Sequence, residues 1–197
     1  NVAALVRTAD AVGIHEVHMV WPYDHYRHYS GTAMGSDRWV NVERHESMDQ
    51  AIDQLHSQDY QVFAAHFSDQ AVDYRSVDYT QPCAILMGNE KQGVSEHAAN
   101  KVDKHIVIPM MGMVESYNVS VAAAIILAEA QRQRQNAGYY DQVRLSDEEY
   151  WSTFFRWAHP DIAKYCHEKG LPYPEISDKD GEIINPSAWY ESVRTLA

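Results

Sequence analysis

The sequence predicts an α/β protein in which a parallel sheet is flanked by helices and followed by a helical C-terminal extension. Two observations support this. Along the first two thirds of the chain, short apolar runs alternate with helical segments, a pattern typical of parallel strands joined by crossover helices. After Gly138 these runs stop, and aromatic, acidic and Pro-containing segments follow. We therefore expect one domain at 1–139 and an extension at 140–197.

The N-terminal part predicts a helix, a strand and a long loop. Asn1 is a favourable N-cap and Gly13 a favourable stop for a first helix. The apolar stripe of that helix consists of Leu5, Val6, Ala9 and Val12. The alternating segment IHEVHMVWP predicts a strand that ends at Pro22, and the polar, aromatic segment YDHYRHYSGTAMGSDRW predicts a loop.

The middle of the chain predicts three further strands and three helices. The segments YQVFAAHFS, CAILMG and HIVIP are apolar enough for strands that helices cover on both faces. The segments SMDQAIDQLHSQ and EHAANKVD predict an amphipathic helix and a short helix. A long apolar helix is expected from about Asn118 to Gln135. In the extension, residues 146–170 predict two short helices, and residues 171–193 predict a Pro-rich arm that contains Trp189.

Composition limits the class of protein. Hydrophobic residues make up 45% and charged residues 22% of the 197 residues, as in ordinary globular proteins. The net charge of −12 excludes a protein coated in positive charge and argues weakly against a nucleic-acid partner, although a local basic patch stays compatible with it. No apolar run approaches the roughly 20 residues of a membrane span.

The cysteines indicate the redox compartment of the protein, and the first residue bears on whether a segment precedes it. Cys83 and Cys166 are far apart and form no CxxC pair, so we expect two free thiols in a reducing cytoplasm. The chain opens on Asn1, already in a helical pattern, rather than on Met. We therefore expect that a segment precedes it.

Three predicted strands end in unusual loops: AAHFSD, MGNEKQG and IPMMGMVESYN. Ligands of open α/β sheets bind at the carboxyl ends of strands. Gly88, Gly93 and Gly112 would let the backbone approach a ligand closely. Because neither GxGxxG nor GKS/T occurs, nucleotide phosphates are not expected. Backbone groups of the three loops could instead contact the edge of a purine ring.

Each polar residue near these loops also has a structural interpretation, which is favoured when the residue is considered alone. Ser116 or Asn118 could cap the long helix, a contribution of about 1 kcal/mol. Glu90 could be a favourable charge near a helix N-terminus. Arg7 could pair with Asp10 on the helix surface. The histidines lack ligand spacing, so no metal site is predicted, and without GxSxG no Ser–His hydrolase is predicted.

Three motifs taken together favour a functional interpretation of these residues over the structural one. NVAALVRTADAVG, CAILMGNEKQGVS and IPMMGMVESYNVSVAAAIILAEA, in this order, resemble motifs one, two and three of the SpoU branch of the SPOUT RNA methyltransferases. The resemblance covers residues 1–137. QRQRQNAG and the tail KGLPYPEI resemble the members of that branch that methylate the D-loop guanosine of tRNA at position 18.

The resemblance implies a fold and a cofactor. The C-terminal part of the catalytic domain would form a deep trefoil knot, an exception to the usual absence of knots. S-adenosylmethionine would bind in the knot, held largely by backbone groups. The implied cofactor-binding residues are Ala65, Met87, Gly88, Ile108 and Tyr117. Ala65 replaces the Thr, and Tyr117 the Leu, that relatives commonly carry.

The resemblance also implies a catalytic set. The reaction would be attack of a ribose 2′-hydroxyl on the methyl group of the cofactor, with Arg7 as the activating residue. Because Arg stays protonated in proteins, Arg7 could act by orienting the hydroxyl and stabilising developing negative charge. Asn1 would hold Arg7 or substrate, Glu90 would orient Arg7 or its loop, and Ser116 and Asn118 would hold the ribose or the loop.

The implied partners are tRNA and a second copy of the chain. Family enzymes are cytoplasmic homodimers in which the motif-one Arg reaches the partner's cofactor site, and neither a metal nor a second cofactor is implied. Arg27 and Arg38, in an aromatic-rich segment, would contact RNA; a solvated loop is the alternative. Two rival functions stay open: 2′-O-methylation of ribosomal RNA, and a non-catalytic RNA-binding dimer.

Overall fold

The computed structural model describes residues 1–21, 38–89 and 91–194. The chain divides into two compact units, Asn1–Gln142 and Val143–Ala197. Two predicted site residues, Arg27 and Glu90, and most of the predicted long loop lie outside the described residues.

The first unit contains alternating helices and strands. Its described helices are α1 (Val2–Ala11), α2 (Met48–Ser57), α3 (Glu96–Ala99) and α4 (Val119–Asn136). Its described strands are β1 (Glu16–Val20), β2 (Asn41–His45), β3 (Gln61–Ala65), β4 (Val72–Asp73), β5 (Cys83–Leu86) and β6 (Lys104–Val107). A 3-10 turn, Tyr74–Ser76, follows β4. The predicted helices and the four predicted strands are confirmed, with shifted ends.

The strands form two parallel sheets. β1 pairs with β2, and the other four strands lie in the order β4-β6-β3-β5. All of these pairs are parallel, which confirms the predicted fold class. The sequence interpretation missed β2 and β4. β2 carries adjacent charges at Glu43 and Arg44, and β4 is only two residues long, so neither has a strong strand pattern.

Helices cover both faces of the four-stranded sheet. Successive side chains of β3 point to opposite faces, so β3 packs against helices on both sides. On one face, Val62 and Ala64 pack with residues of α2 and α3. On the other face, Phe63 packs with Ile106 of β6 and Ile126 of α4. Since β3 is buried on both faces, its sequence is a continuous apolar run rather than an alternating one.

The first helix behaves as its sequence predicts except at its start. Val6 and Ala9 are buried, and Gly13 follows the C-cap with φ +76°, a conformation that favours glycine. Asn1 occupies the N-cap position, but its side chain makes no capping hydrogen bond. The expectation that Asn1 caps α1 through its side chain is therefore wrong.

The second unit is helical in its described part. It contains α5 (Asp147–Ala158), α6 (Pro160–Lys169) and α7 (Pro186–Arg194). Ser146 and Glu149 form a reciprocal capping box at the start of α5. The two predicted short helices are confirmed. The predicted Pro-rich arm is wrong at its end, because Pro186 begins α7, which includes Trp189. Proline suits the first turn of a helix, where its missing N–H is not needed. No described helix has the length and apolarity to cross a membrane.

Candidate active site

The three predicted ligand loops begin at neighbouring strand ends. β3 lies between β5 and β6, and all three run in the same direction, so their carboxyl ends meet at one edge of the sheet. The residues at these ends are Ala65, Met87 and Ile108. All three are partly buried against the same hydrophobic cluster, on the α4 face of the sheet. The structure thus brings together three of the five residues predicted to bind cofactor.

Gly88, the fourth of these residues, lies where two backbone segments almost touch. A Cβ atom at Gly88 would lie 2.1 Å from the carbonyl carbon of Gly93 and 2.3 Å from the amide nitrogen of Val94. The loop is closed by two backbone hydrogen bonds between Asn89 and Gly93, of 3.1 and 2.9 Å. Only glycine fits at position 88 in this closed loop.

The side chain of Asn89 fixes the inside of the same loop. Its Oδ1 accepts hydrogen bonds from the amides of Lys91 at 3.0 Å and Gln92 at 2.7 Å. Such bonds from an Asn side chain to amides two or three residues later stabilise a tight turn. Asn89 was not among the predicted site residues, although an Asn directly after a glycine in a strand-to-helix loop is a recognisable turn signal.

Ser120 joins the beginnings of α1 and α4. The Oδ1 of Asn118 accepts hydrogen bonds from the amide of Ser120 at 2.9 Å and from its hydroxyl, 2.6 Å away. The Ser120 hydroxyl also lies 3.3 Å from Oδ1 of Asn1. Asn118 therefore caps α4, as its structural interpretation predicted, and the same contacts bring Asn1 beside it. Ser120 was missed in the sequence; its position just inside an otherwise apolar helix was the available signal.

Arg7 lies on α1, which packs against α4. Its side chain is exposed, whereas the preceding Val6 is buried. Arg7 is thus on the outer face of a helix whose N-cap residue, Asn1, is connected to Asn118 through Ser120.

The segment between β6 and α4 presents its apolar side chains to solvent. Met111 is 94% and Met113 99% exposed, and Val114 and Tyr117 are also exposed. Ser116 is exposed in the same segment. Tyr117, the fifth predicted cofactor residue, is therefore not packed into the cluster that holds Ala65, Met87 and Ile108. Contiguous exposed apolar side chains are common at interaction surfaces.

The C-terminal half of α4 is tied to the loop before β5. The side-chain oxygen of Gln133 accepts from the amide of Tyr79 at 3.0 Å, and its amide group donates to the Val77 carbonyl at 3.1 Å. Nε of Arg134 donates to the Tyr79 carbonyl at 2.8 Å. The Tyr79 ring is fully buried, and this burial raises the pKa of its hydroxyl above the usual range. These contacts hold α4 against the sheet face that carries the cofactor-residue cluster.

A polar cleft of about 470 Å³ is lined by the loop after β3, by α3 and by His105 of β6. His105 Nε2 contacts the Ala99 carbonyl at 2.8 Å and must donate there, so Nδ1 accepts from the Ser68 hydroxyl at 2.7 Å. Ser68 also accepts from the Gln70 amide. Because both groups are engaged in local bonds, the pair fixes the loop after β3 to α3, and the absence of a Ser–His hydrolase stays our prediction.

Comparison with known proteins assigns the chain to a family. The sequence profile described as the SpoU rRNA Methylase family matches residues 1–128, and the profile described as SpoU, rRNA methylase, C-terminal matches residues 132–186. The tRNA (guanosine(18)-2′-O)-methyltransferase of Escherichia coli K12 is 47% identical over 196 residues, which cover 98% of this chain and 85% of that protein.

Solved structures show the same similarity. The Aquifex aeolicus TrmH/SpoU tRNA modifying enzyme superimposes with a TM-score of 0.76 at 40% identity, covering 82% of each chain. The SpoU methyltransferase AviRb of Streptomyces viridochromogenes, in complex with AdoMet, has a TM-score of 0.61 at 30% identity, covering 68% of this chain and 56% of that one. With motif one forming α1 and motifs two and three following the ends of β5 and β6, the chain belongs to the SpoU RNA methylase family.

Proposed function

We propose that this protein transfers the methyl group of S-adenosylmethionine to the ribose 2′-hydroxyl of guanosine 18 in the D-loop of tRNA. The observation that carries the proposal is the 47% identity, over 98% of the chain, to an enzyme named for that reaction. Methylation of ribosomal RNA is the second candidate, because the family profile that matches residues 1–128 is described by that substrate.

The residues at the strand ends fit the cofactor. Ala65, Met87 and Ile108 offer a partly buried apolar surface for an uncharged purine ring. The turn at Gly88 is so close that a Cβ would fill it, which leaves backbone groups to contact the ring edge. When bound, S-adenosylmethionine supplies an activated methyl group. We infer that Gly88 and Tyr117 complete the pocket, with Tyr117 adding aromatic surface from the exposed segment.

The chain's own groups must activate a poor nucleophile, the ribose hydroxyl. The guanidinium of Arg7 orients the hydroxyl oxygen and stabilises the negative charge that develops there. The Asn1–Ser120–Asn118 contacts hold the starts of α1 and α4 together and so position Arg7. Ser116 and Asn118 contact the ribose or fix its loop, and Glu90 orients Arg7 or the loop after Gly88.

The enzyme acts as a homodimer in the cytoplasm. The exposed apolar side chains of Met111, Met113 and Val114 supply a surface for a second copy of the chain. Arg7 then reaches the cofactor site of the partner. Residues 1–139 carry the catalytic machinery, including the knot, and residues 140–197 contribute to tRNA binding. Arg38, whose guanidinium lies 4.6 Å from the ring centroid of Trp39, and Arg27 contact the RNA.

The test is methyl transfer to defined transcripts. Purified protein is incubated with labelled S-adenosylmethionine and tRNA, and the modified nucleotide is mapped. A matched tRNA with 2′-deoxyguanosine at position 18 is the control, and a ribosomal RNA transcript tests the second candidate. We expect label at guanosine 18 only, and none in the deoxy control. Labelling of the ribosomal transcript alone would contradict the proposal.

A further inference from the structure

Parallel pairing of β1 and β2 brings three metal-ligating side chains together on the first unit. His18 of β1 is the register partner of Glu43 in β2, and His45 lies two residues further along β2, on the same face. One ligand atom from each of the three residues lies within 4.8 Å of the other two. The histidines are 27 residues apart, so their spacing in the chain gave no sign of a site.

The distances suit a small cation. His18 Nδ1 lies 2.8 Å from His45 Nε2 and 3.8 Å from Glu43 Oε2. Ligand atoms around a tetrahedral zinc ion, with bonds of about 2.0–2.2 Å, lie roughly 3.3 Å apart. The observed values fall on either side of that separation. A change of about half an ångström brings each of these two separations to the tetrahedral value, and the third pair, Glu43 and His45, lies within 4.8 Å.

The atoms that would not bind the ion are already held. His18 Nε2 lies 2.7 Å from Glu16 Oε1, which places a proton on Nε2 and directs the other ring nitrogen towards His45. Glu43 Oε1 accepts a hydrogen bond of 2.8 Å from Gln54, which directs Oε2 towards His18. A carboxylate on the distal nitrogen of a ligating histidine, and a hydrogen bond on a ligating carboxylate, are the usual supports of metal ligands.

Burial favours a preformed arrangement. His45 is 1% exposed, and its ring stacks on that of His18 with centroids 5.0 Å apart. The competing account is a hydrogen bond between the two rings, with or without an extra proton on His18. The buried Nδ1 of His45 has no hydrogen-bond partner among the described residues. That atom does not bind the ion in the metal account, so it does not distinguish the two accounts, which differ in whether Glu43, 3.8 Å from His18, contributes a ligand.

We propose that His18, Glu43 and His45 bind one divalent transition-metal ion, with Zn²⁺ the ion that two imidazoles and a carboxylate suit best. Three protein ligands leave one position for water. The ion would add a further cross-link between β1 and β2. None of these three residues belongs to the three loops or to the proposed catalytic set, so either proposal can fail without the other.

The test uses Zn²⁺ and Co²⁺ on the full chain after treatment with a chelator. We expect calorimetry to give one Zn²⁺ per chain, and Co²⁺ to give the intense visible absorption of a tetrahedral site. His18→Gln and Glu43→Gln should each weaken binding about 100-fold or more, and Gln54→Ala about 10-fold to 100-fold. These three residues are partly exposed, so the variants are expected to fold, which circular dichroism checks.

His97→Gln is the matched control. His97 contacts the Asp49 carboxylate at 2.8 Å on the surface of the same unit but lies outside the cluster. It should bind Zn²⁺ as the unsubstituted protein does. Equal affinity of the unsubstituted protein and His18→Gln, or no Zn²⁺ binding at hundred-micromolar concentrations, would overturn the proposal. Should His18→Gln fail to fold, the Glu43→Gln and Gln54→Ala affinities and the Co²⁺ spectrum decide the question.

Discussion

At the scale of single residues, Asn118 combines a structural and a proposed catalytic contribution. Its Oδ1 caps α4 through Ser120, and Ser120 in turn meets Asn1. The carboxylate of Asp can cap a helix as well as the amide of Asn can, but it cannot donate hydrogen bonds. Substitution can therefore separate the two contributions.

We predict that Asn118→Ala lowers the free energy of unfolding by about 1 kcal/mol, whereas Asn118→Asp leaves it nearly unchanged because a negative charge suits a helix N-terminus. Both variants should lose at least about 10-fold in methyl transfer. Urea unfolding and the transfer assay measure the two effects. If Asn118→Asp methylates tRNA at the full rate, Asn118 is a cap and nothing more.

Arg7 is the second residue-scale case. We predict that Arg7→Ala lowers the rate of methyl transfer by about 100-fold to 1,000-fold, the usual cost of removing a group that stabilises charge in the transition state. Affinity for S-adenosylmethionine should change less than about threefold, because Arg7 lies on α1 rather than in the three loops. Calorimetry and single-turnover kinetics measure these quantities. Unchanged turnover would remove Arg7 from the mechanism.

At the scale of elements, the loop after β5 is the tightest part of the candidate cofactor pocket. We predict that Gly88→Ala weakens S-adenosylmethionine binding at least 10-fold, because its Cβ would collide with the backbone of Gly93 and Val94 and force the loop open. Gln135→Ala, at an exposed position outside the three loops, is the control. Calorimetry compares the two variants, and equal affinities would mean that the closed loop does not shape the pocket.

The attachment of α4 is a second element-scale property. Gln133 satisfies both the Tyr79 amide and the Val77 carbonyl, and unpaired buried groups cost about 1–3 kcal/mol each. We predict that Gln133→Ala lowers the free energy of unfolding by about 2 kcal/mol, while Gln135→Ala, an exposed position on the same helix, changes it by less than about 0.5 kcal/mol. Denaturant unfolding measures both; similar values for the two would disprove the attachment.

At the scale of the whole molecule, the proposed dimer makes a distinctive prediction. If Arg7 acts on the partner's cofactor, a mixed dimer of Arg7→Ala and Gly88→Ala chains contains one complete site. Random mixing makes about half of all dimers mixed, each with one of two sites active, so about a quarter of full activity should return. Co-refolding the two variants, and measuring methyl transfer at an S-adenosylmethionine concentration too low to fill the Gly88→Ala sites, tests this. No recovery, with mixed dimers confirmed by mass spectrometry, would mean that Arg7 acts within its own chain.

Much of the first unit could be predicted from the sequence because its signals are local. Apolar runs identified β3, β5 and β6, Gly13 identified the end of α1, and the three motifs carried the family resemblance. β2 and α7 were missed for local reasons as well. Glu43 and Arg44 obscure the strand pattern of β2, and the proline that begins α7 was interpreted as part of an extended arm.

The sequence by itself therefore determined the kinds of element, the strand-end loops and the family of the chain, since periodicity, turn residues and motifs are properties of neighbouring positions. Only the tertiary structure decided that β3 lies between β5 and β6, that Ser120 joins Asn1 to Asn118, and that His18 meets Glu43 and His45. Contacts between residues far apart in the chain depend on strand order, register and helix packing, and a single sequence does not contain these in readable form.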